Sequence, residues 1–364
     1  MFFILKLIIQ YDKIIKLDVI YLIQQQLPNN KYNYNFDLKK YNDKYILKKR
    51  SSGLGFFIFA YALSMQLLSM LIMMLLMLLC GINSDVTSST SIPMQMITIF
   101  VSVFSVFVPG LLYLLFSKSS LSETIKVKYV KQGTLWPFVF IGMASAMVAN
   151  VVANMVTQNF SIFGLQNTIE FDYSSNSPII NVLNIISVAI VPAFAEEFAF
   201  RGIVMGSLRK YGDSLAIIAS AVMFGAMHGN ISQIPFAFVL GLIFAFIDCK
   251  TNSIIPSIII HFLNNFYAVT LDVFNSTGEL SDRNFMIIYY IIIAAFCLLG
   301  VISFFVLLKK DKNFFKVSDK INNSPVVQTS LSFKEKITSF FINPGIILSL
   351  SIFVIETILF LGIL

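Results

Sequence analysis

Long apolar blocks separated by short polar ones run along this chain from residue 54 to its end. A helix rises 1.5 Å per residue, so roughly 20 apolar residues cross a hydrocarbon layer about 30 Å thick. The segments 54–82, 92–116, 135–157, 178–208, 214–230, 234–248, 254–274, 284–308 and 345–364 meet or approach that length. The pattern predicts an all-α fold, a polytopic transmembrane helical bundle of about eight to nine spans. The sixth block is short and carries Gly241, which predicts a tilted, re-entrant or deeply packed helix.

The polar segments between the blocks alternate in charge. Lys39, Lys40, Lys44, Lys48, Lys49 and Arg50 precede the first block, and Lys118, Lys126, Lys128 and Lys131 follow the second. Arg209 and Lys210 follow the fourth, Lys250 the sixth, and Lys309, Lys310, Lys312, Lys316 and Lys320 the eighth. Segments 83–91 and 158–177 hold no Lys or Arg, and Arg283 is the single exception to the alternation. The positive-inside rule then predicts a multi-pass protein of the cell membrane with its N-terminus and Lys-rich loops in the cytoplasm.

Four stretches follow from this reading. Residues 1–50 form a cytoplasmic N-terminal extension, because the apolar run 1–5 breaks at Lys6 and again at Asp12 and Lys13. Residues 51–170 hold the N-terminal transmembrane helices, 171–275 a central helical core, and 276–364 the C-terminal helices with a basic cytoplasmic loop. No internal repeat of the transporter kind is visible.

Composition narrows the function. Of 364 residues, 57% are hydrophobic and 12% charged, where a soluble domain carries about a quarter charged residues. The net charge of +7 sits in the loops, so nucleic acid is not an expected partner; the bilayer is. Cys80, Cys249 and Cys297 are far apart and form neither a disulfide framework nor a thiolate metal site. Residues 361–364 contain no cysteine, which argues against prenylation of this chain.

Ionisable residues inside apolar helices are costly and each needs a reason. The fourth block contains Glu196, Glu197 and Arg201 within six residues. Glu197 and Arg201 are four apart, acid first, the favourable helical ion-pair spacing. Glu196 points about 100° away and remains free for other work. The only two histidines, His228 and His261, both lie in apolar stretches, and Asn265 shares a helix face with His261. Glu196 and His228 are each sixteen residues from Gly212. If a helical hairpin turns at Gly212, both sit about 20 Å from its end. His261 lies about 13 Å into its own helix, counted from Asn252. A lone Glu–Arg pair or a lone histidine is commonly structural. A second acid at the depth of both histidines is harder to read that way. Asn150 and Asn154 read as hydrogen-bonding glue between helices, the Met-rich run 65–77 as lipid-facing surface, and Glu356 as isolated and without a role.

At these residues the sequence resembles the CAAX protease and bacteriocin-processing family of membrane peptidases, also called CPBP or Abi. Glu196-Glu197-Phe198-Ala199-Phe200-Arg201 fits EExxxR, Phe224-Gly225-Ala226-Met227-His228 fits FxxxH, and His261-Phe262-Leu263-Asn264-Asn265 fits HxxxN. The approach 251–256 is also family-like. The resemblance covers about residues 175–275. It implies endoproteolysis within or at the membrane, with Glu196, Glu197, Arg201, His228, His261 and Asn265 as site residues. Eukaryotic and archaeal relatives remove three terminal residues from prenylated CaaX proteins. Bacterial relatives act in peptide maturation or bacteriocin immunity. The implied partner is a membrane protein or peptide, lipidated in the CaaX case.

Two chemistries fit the residues. In a metal-free route Glu196 and His228 activate water, while His261 and the Asn265 amide stabilise the oxyanion. In a zinc route Glu196, His228 and His261 are the ligands, with a position left for water. The chain has no HExxH, and Asn265 suits an oxyanion better than a metal, so the metal-free route is favoured and no cofactor is required. Two other function classes remain in view. One is a non-catalytic immunity or scaffold protein that binds a peptide. The other is a proton or ion transporter, which should carry more intramembrane carboxylates than this chain has.

Overall fold

The computed structural model describes residues 31–80, 91–162, 177–277, 281–316 and 329–361. The expectations for residues 1–30, for most of segments 83–91 and 158–177, for Lys320, for 362–364 and for the side chain of Asn154 lie outside them.

Every apolar block of the sequence becomes helix, and the described residues contain no strand. In chain order these are α1 (Lys31–Cys80), α2 (Ile92–Ser117), α3 (Gln132–Ile162), α4 (Pro178–Tyr211), α5 (Asp213–Ala226), α6 (Gln233–Thr251), α7 (Ile255–Thr277), α8 (Asp282–Lys310), α9 (Phe333–Phe341) and α10 (Pro344–Phe360). Among the described residues seven helices are long and apolar enough to cross a membrane, or eight if the bent pair α9–α10 is one span. The protein is therefore an all-α, multi-pass membrane bundle.

Two sequence expectations change. The short element is the fifth, not the sixth. α6 has 19 residues, because it runs on through Asp248 and Lys250. α5 has 14 and stops at Ala226, so His228 lies in the turn after the helix rather than inside a span. The exit tightens through His228 N–H to Gly225 O and Gly229 N–H to Ala226 O, both 3.3 Å, and Gly229 then turns the chain at φ +60°. That left-handed conformation is inexpensive only for glycine. Residues 31–50, expected as an extension, continue directly into the first span as one 50-residue helix.

Two hydrophobic clusters hold the bundle. One gathers side chains of α1, α2, α4, α5, α9, α10 and one face of α6, with Phe200, Ile203, Phe224 and Phe340 at its heart. The other gathers α3, α6, α7 and α8 around Met143, Met147, Phe244 and Ile260. Lipid supplies no hydrophobic drive between helices, so close approach of small residues must do the joining. The first and last helices meet in this way. A Cβ on Gly55 would strike the backbone of Gly345 and Ile346, and one on Gly345 the backbone of Ser52. The Met-rich face of α1 points outward, with Met70, Met74 and Met77 exposed. Beyond α8, Lys250 Nζ donates to Asp311 at 2.8 Å and holds that carboxyl below its ordinary range, helped by the Asn313 N–H.

Replacing Gly345 by Leu should separate α1 from α10 and cost about 1–3 kcal/mol. A clearly lowered Tm of the purified protein in detergent checks this, and an unchanged Tm would refute the packing argument.

Candidate active site

α4 is not a regular helix. It changes from α to π-helical turns at Ile185–Ile190, returns to α over Val191–Glu197, and widens again at Phe198–Met205. Glu196 and Glu197 close the α-helical stretch between the two wide turns. Such π-bulges free backbone groups for partners outside the helix. Two carbonyls show it. Pro192 has no N–H to offer the Val188 carbonyl four residues earlier, and Asn265 Nδ2 of α7 donates there at 2.9 Å. Ser220 Oγ of α5 donates to Phe200 O at 2.9 Å. The irregular turns of α4 are thereby pinned to α7 and α5.

Glu197 and Arg201 form the ion pair that their spacing predicts, with Oε2 3.2 Å from Nε and both side chains fully buried. The guanidinium Nη atoms have no hydrogen-bond partner among the described residues. Their charge meets aromatic faces instead. Cζ stands 4.2 Å from the Phe224 ring centre and 5.2 Å from that of Phe244. A desolvated cation–π contact is worth about 2 kcal/mol. Phe224 belongs to the first hydrophobic cluster and Phe244 to the second, so Arg201 sits at their seam.

Glu197 has a second task that the sequence did not disclose. Its Oε1 lies 2.9 Å from His261 Nδ1. A carboxylate already paired with a guanidinium can only accept, so Nδ1 carries a hydrogen in either charge state and Nε2 is the nitrogen left to face the site. That Nε2 faces Glu196 Oε2 at 3.9 Å. His228 reaches the same tautomer by another route. Its Nδ1 is 2.8 Å from Phe224 O, an acceptor only, so its Nε2 is left unprotonated in the neutral ring. Both imidazoles pack edge-on to Phe224, at 5.1 Å for His228 and 6.0 Å for His261. His228 lies within electrostatic reach of Glu196, His261 and Arg201.

Of the two acids, Glu197 is sealed and Glu196 keeps 16% of its side-chain surface. The geometry gathers Glu196, Glu197, Arg201 and His261 by direct contact and brings His228 in through the shared Phe224 ring. Asn265 is placed differently. One amide hydrogen is committed to Val188, and its oxygen accepts from Asn264 Nδ2 at 3.0 Å. Among the described residues no three His, Cys, Asp or Glu side chains converge closely enough to hold a metal ion. The Glu196, His228, His261 set is thus not gathered as a zinc site in this conformation.

Three neighbours stand near the site beyond the residues expected there. Tyr61 of α1 lies within electrostatic reach of Glu196 and Glu356. Glu356 is not isolated, since Gln66 Nε2 donates to it at 3.3 Å. Asp248, buried near the end of α6, is the last residue of the block 234–248 and drew no functional expectation there. An acid inside an extended apolar count would have been the signal.

Residues 178–267 match the family described as type II CAAX prenyl endopeptidase, Rce1-like, and over that segment the resemblance carried by the three motifs is borne out. The chain is also similar to the membrane-embedded CAAX protease MroQ of Staphylococcus aureus (strain USA300), 26% identical over 152 residues. That alignment covers 38% of this chain and 59% of MroQ. No solved structure matches the chain.

Arg201→Ala should leave Glu197 buried without its cation and destabilise the protein by about 3–5 kcal/mol. Thermal unfolding in detergent measures it. Stability equal to that of the parent would mean that the pair does not hold the site.

Proposed function

We propose that this protein is an intramembrane endopeptidase of the CPBP type, acting on a membrane-associated protein or peptide. The observation that carries the reading is the division of labour between adjacent acids. Glu197 is spent on Arg201 and His261, while Glu196 stays accessible beside His261 Nε2.

Peptide hydrolysis needs a deprotonated water, a stabilised oxyanion and a proton for the leaving amine. Glu196 takes the proton from a water as its oxygen attacks the scissile carbonyl carbon. His228, with Nε2 unprotonated, accepts the water's other hydrogen and orients it. His261 meets the developing oxyanion as an imidazolium, its positive charge balanced by Glu197 on Nδ1. Asn265 has a second amide hydrogen beyond the one given to Val188, and this is the one available to the oxyanion. Glu196 then returns its proton to the amine nitrogen as the C–N bond breaks.

The zinc alternative uses Glu196, His228 and His261, with both Nε2 atoms as natural ligand positions. No step here runs through a metal, and a chelation assay decides between the routes. We further propose that the N-terminus and the Lys-rich loops are cytoplasmic, and that 171–275 is the catalytic core between helical flanks 51–170 and 276–364, with the basic loop in the latter. This rests on the loop charges and the position of the motifs. CaaX-type processing and peptide maturation remain the substrate classes. An immunity or scaffold protein is the contrasting outcome.

Purified protein incubated with tagged membrane peptides tests the proposal. Glu196→Gln should lower cleavage by about a hundredfold or more while insertion and Tm stay near parental values. Equal cleavage by the variant, or none by the parent across CaaX-type and membrane peptide substrates, would sink the peptidase reading. Activity that survives verified metal removal supports the glutamate route; activity lost on chelation and restored by Zn²⁺ supports the other.

A further inference from the structure

One acid of the wall beside His228 takes no part in the hydrolytic set. Glu356 lies in α10, about 18 Å along that helix from its first residue, Pro344. A Cβ built on Gly229 would stand 3.2 Å from Glu356 Cβ, which sets this acid against the turn that carries His228. Glu356 is thus level with the site and well inside an apolar helix.

α1 and α10 run side by side in the same direction. At Gly55 and Gly345 their backbones meet, with no room for a side chain on either. Eleven residues further along each helix stand Gln66 and Glu356, and there Gln66 Nε2 donates to Glu356 Oε1 at 3.3 Å. The seam is closed by backbone at one end and spanned by two long side chains at the other. Gln66 is exposed and Glu356 half-buried, and Leu67 and Ile355 beside them face outward.

An amide and a carboxyl at that depth are expensive against lipid, and an intramembrane acid calls for a partner. Other acids of the bundle have a cation: Glu197 faces Arg201, Asp213 faces Arg209 and Asp311 faces Lys250. Among the described residues no Lys, Arg or His pairs with Glu356, and its hydrogen bond comes from a neutral amide. The amide satisfies an oxygen but leaves the charge unanswered.

We propose that Glu356 determines specificity by binding a Lys or Arg side chain of the peptide substrate, which displaces the Gln66 amide at the α1–α10 seam. An ammonium or guanidinium gives the carboxylate both a hydrogen bond and the opposite charge. The purpose of the subsite rests on the peptidase reading, since it holds a peptide beside His228. The chain as a whole, at +7, repels a basic peptide. A preference for one positive side chain at one position therefore reports a local acid and not the overall field.

Fluorescent membrane peptides carrying Lys, Gln or Glu at each position in turn test this against the full-length protein in nanodiscs of zwitterionic phospholipid. Binding is read by anisotropy in the Glu196→Gln background, so that bound peptide is not consumed. Lys should bind about tenfold more tightly than Gln at one position, and turnover by the parent should show the difference in KM. Adding Glu356→Gln should erase the advantage, and adding Glu356→Lys should turn it into a preference for Glu. Should one variant fail to fold, the other decides. Equal binding of all three peptides at every position, or a Lys preference that survives in a folded Glu356 variant, overturns the proposal. Cleavage by the parent is scored separately. A Lys preference in binding with no peptide ever cut sinks the peptidase reading and leaves the cation subsite standing.

Discussion

A guanidinium with no access to solvent, in the middle of a membrane bundle, is the constraint around which this site is organised. Arg201 cannot shed its charge, and removing a cation from water costs several kcal/mol even after relaxation. Glu197 answers that charge from one turn away, and the faces of Phe224 and Phe244 cover the remainder. Those two rings come from different hydrophobic clusters, so the cation fixes how one half of the bundle meets the other. Because Glu197 is oriented by Arg201, its other oxygen is directed at His261. The imidazole that faces Glu196 is therefore held by the acid of that salt bridge.

The adjacent acids show how two identical side chains acquire different duties. Consecutive helix positions point about 100° apart. One of them enters the packed seam while the other keeps part of its surface exposed. The difference in exposure follows from helix geometry and not from residue type. The π-turns on either side add a second effect. They expose carbonyls that Asn265 and Ser220 tie down, and so the helix carrying both acids is anchored at its irregular places.

Much of this could be read from the chain, and the limits have physical reasons. The helices and their membrane character follow from block length, and the Glu197–Arg201 pair from a spacing of four. The role of Glu197 toward His261 could not be read, because the partners are 64 residues apart and no local rule links them. The position of His228 was misjudged because α5 stops at Ala226, a consequence of how the chain leaves through Gly229 and not of hydropathy. Asp248 was overlooked because it closes the block 234–248, where an acid reads as a helix end facing water, whereas α6 continues past it and buries it. The family match reaches 178–267 and leaves the outer helices to be interpreted from their packing alone.

The contact between Gly55 and Gly345 joins the first described helix to the last, and α10 also lays Glu356 and Phe360 against Gly229, beside His228. A ribosome delivers these parts in order, so the turn bearing His228 enters the bilayer well before the helix that covers it. Completion of the wall beside His228 is therefore a late event in biosynthesis. A nascent chain whose α10 has yet to dock carries Glu196, Glu197 and both imidazoles while one side of the enclosure is missing.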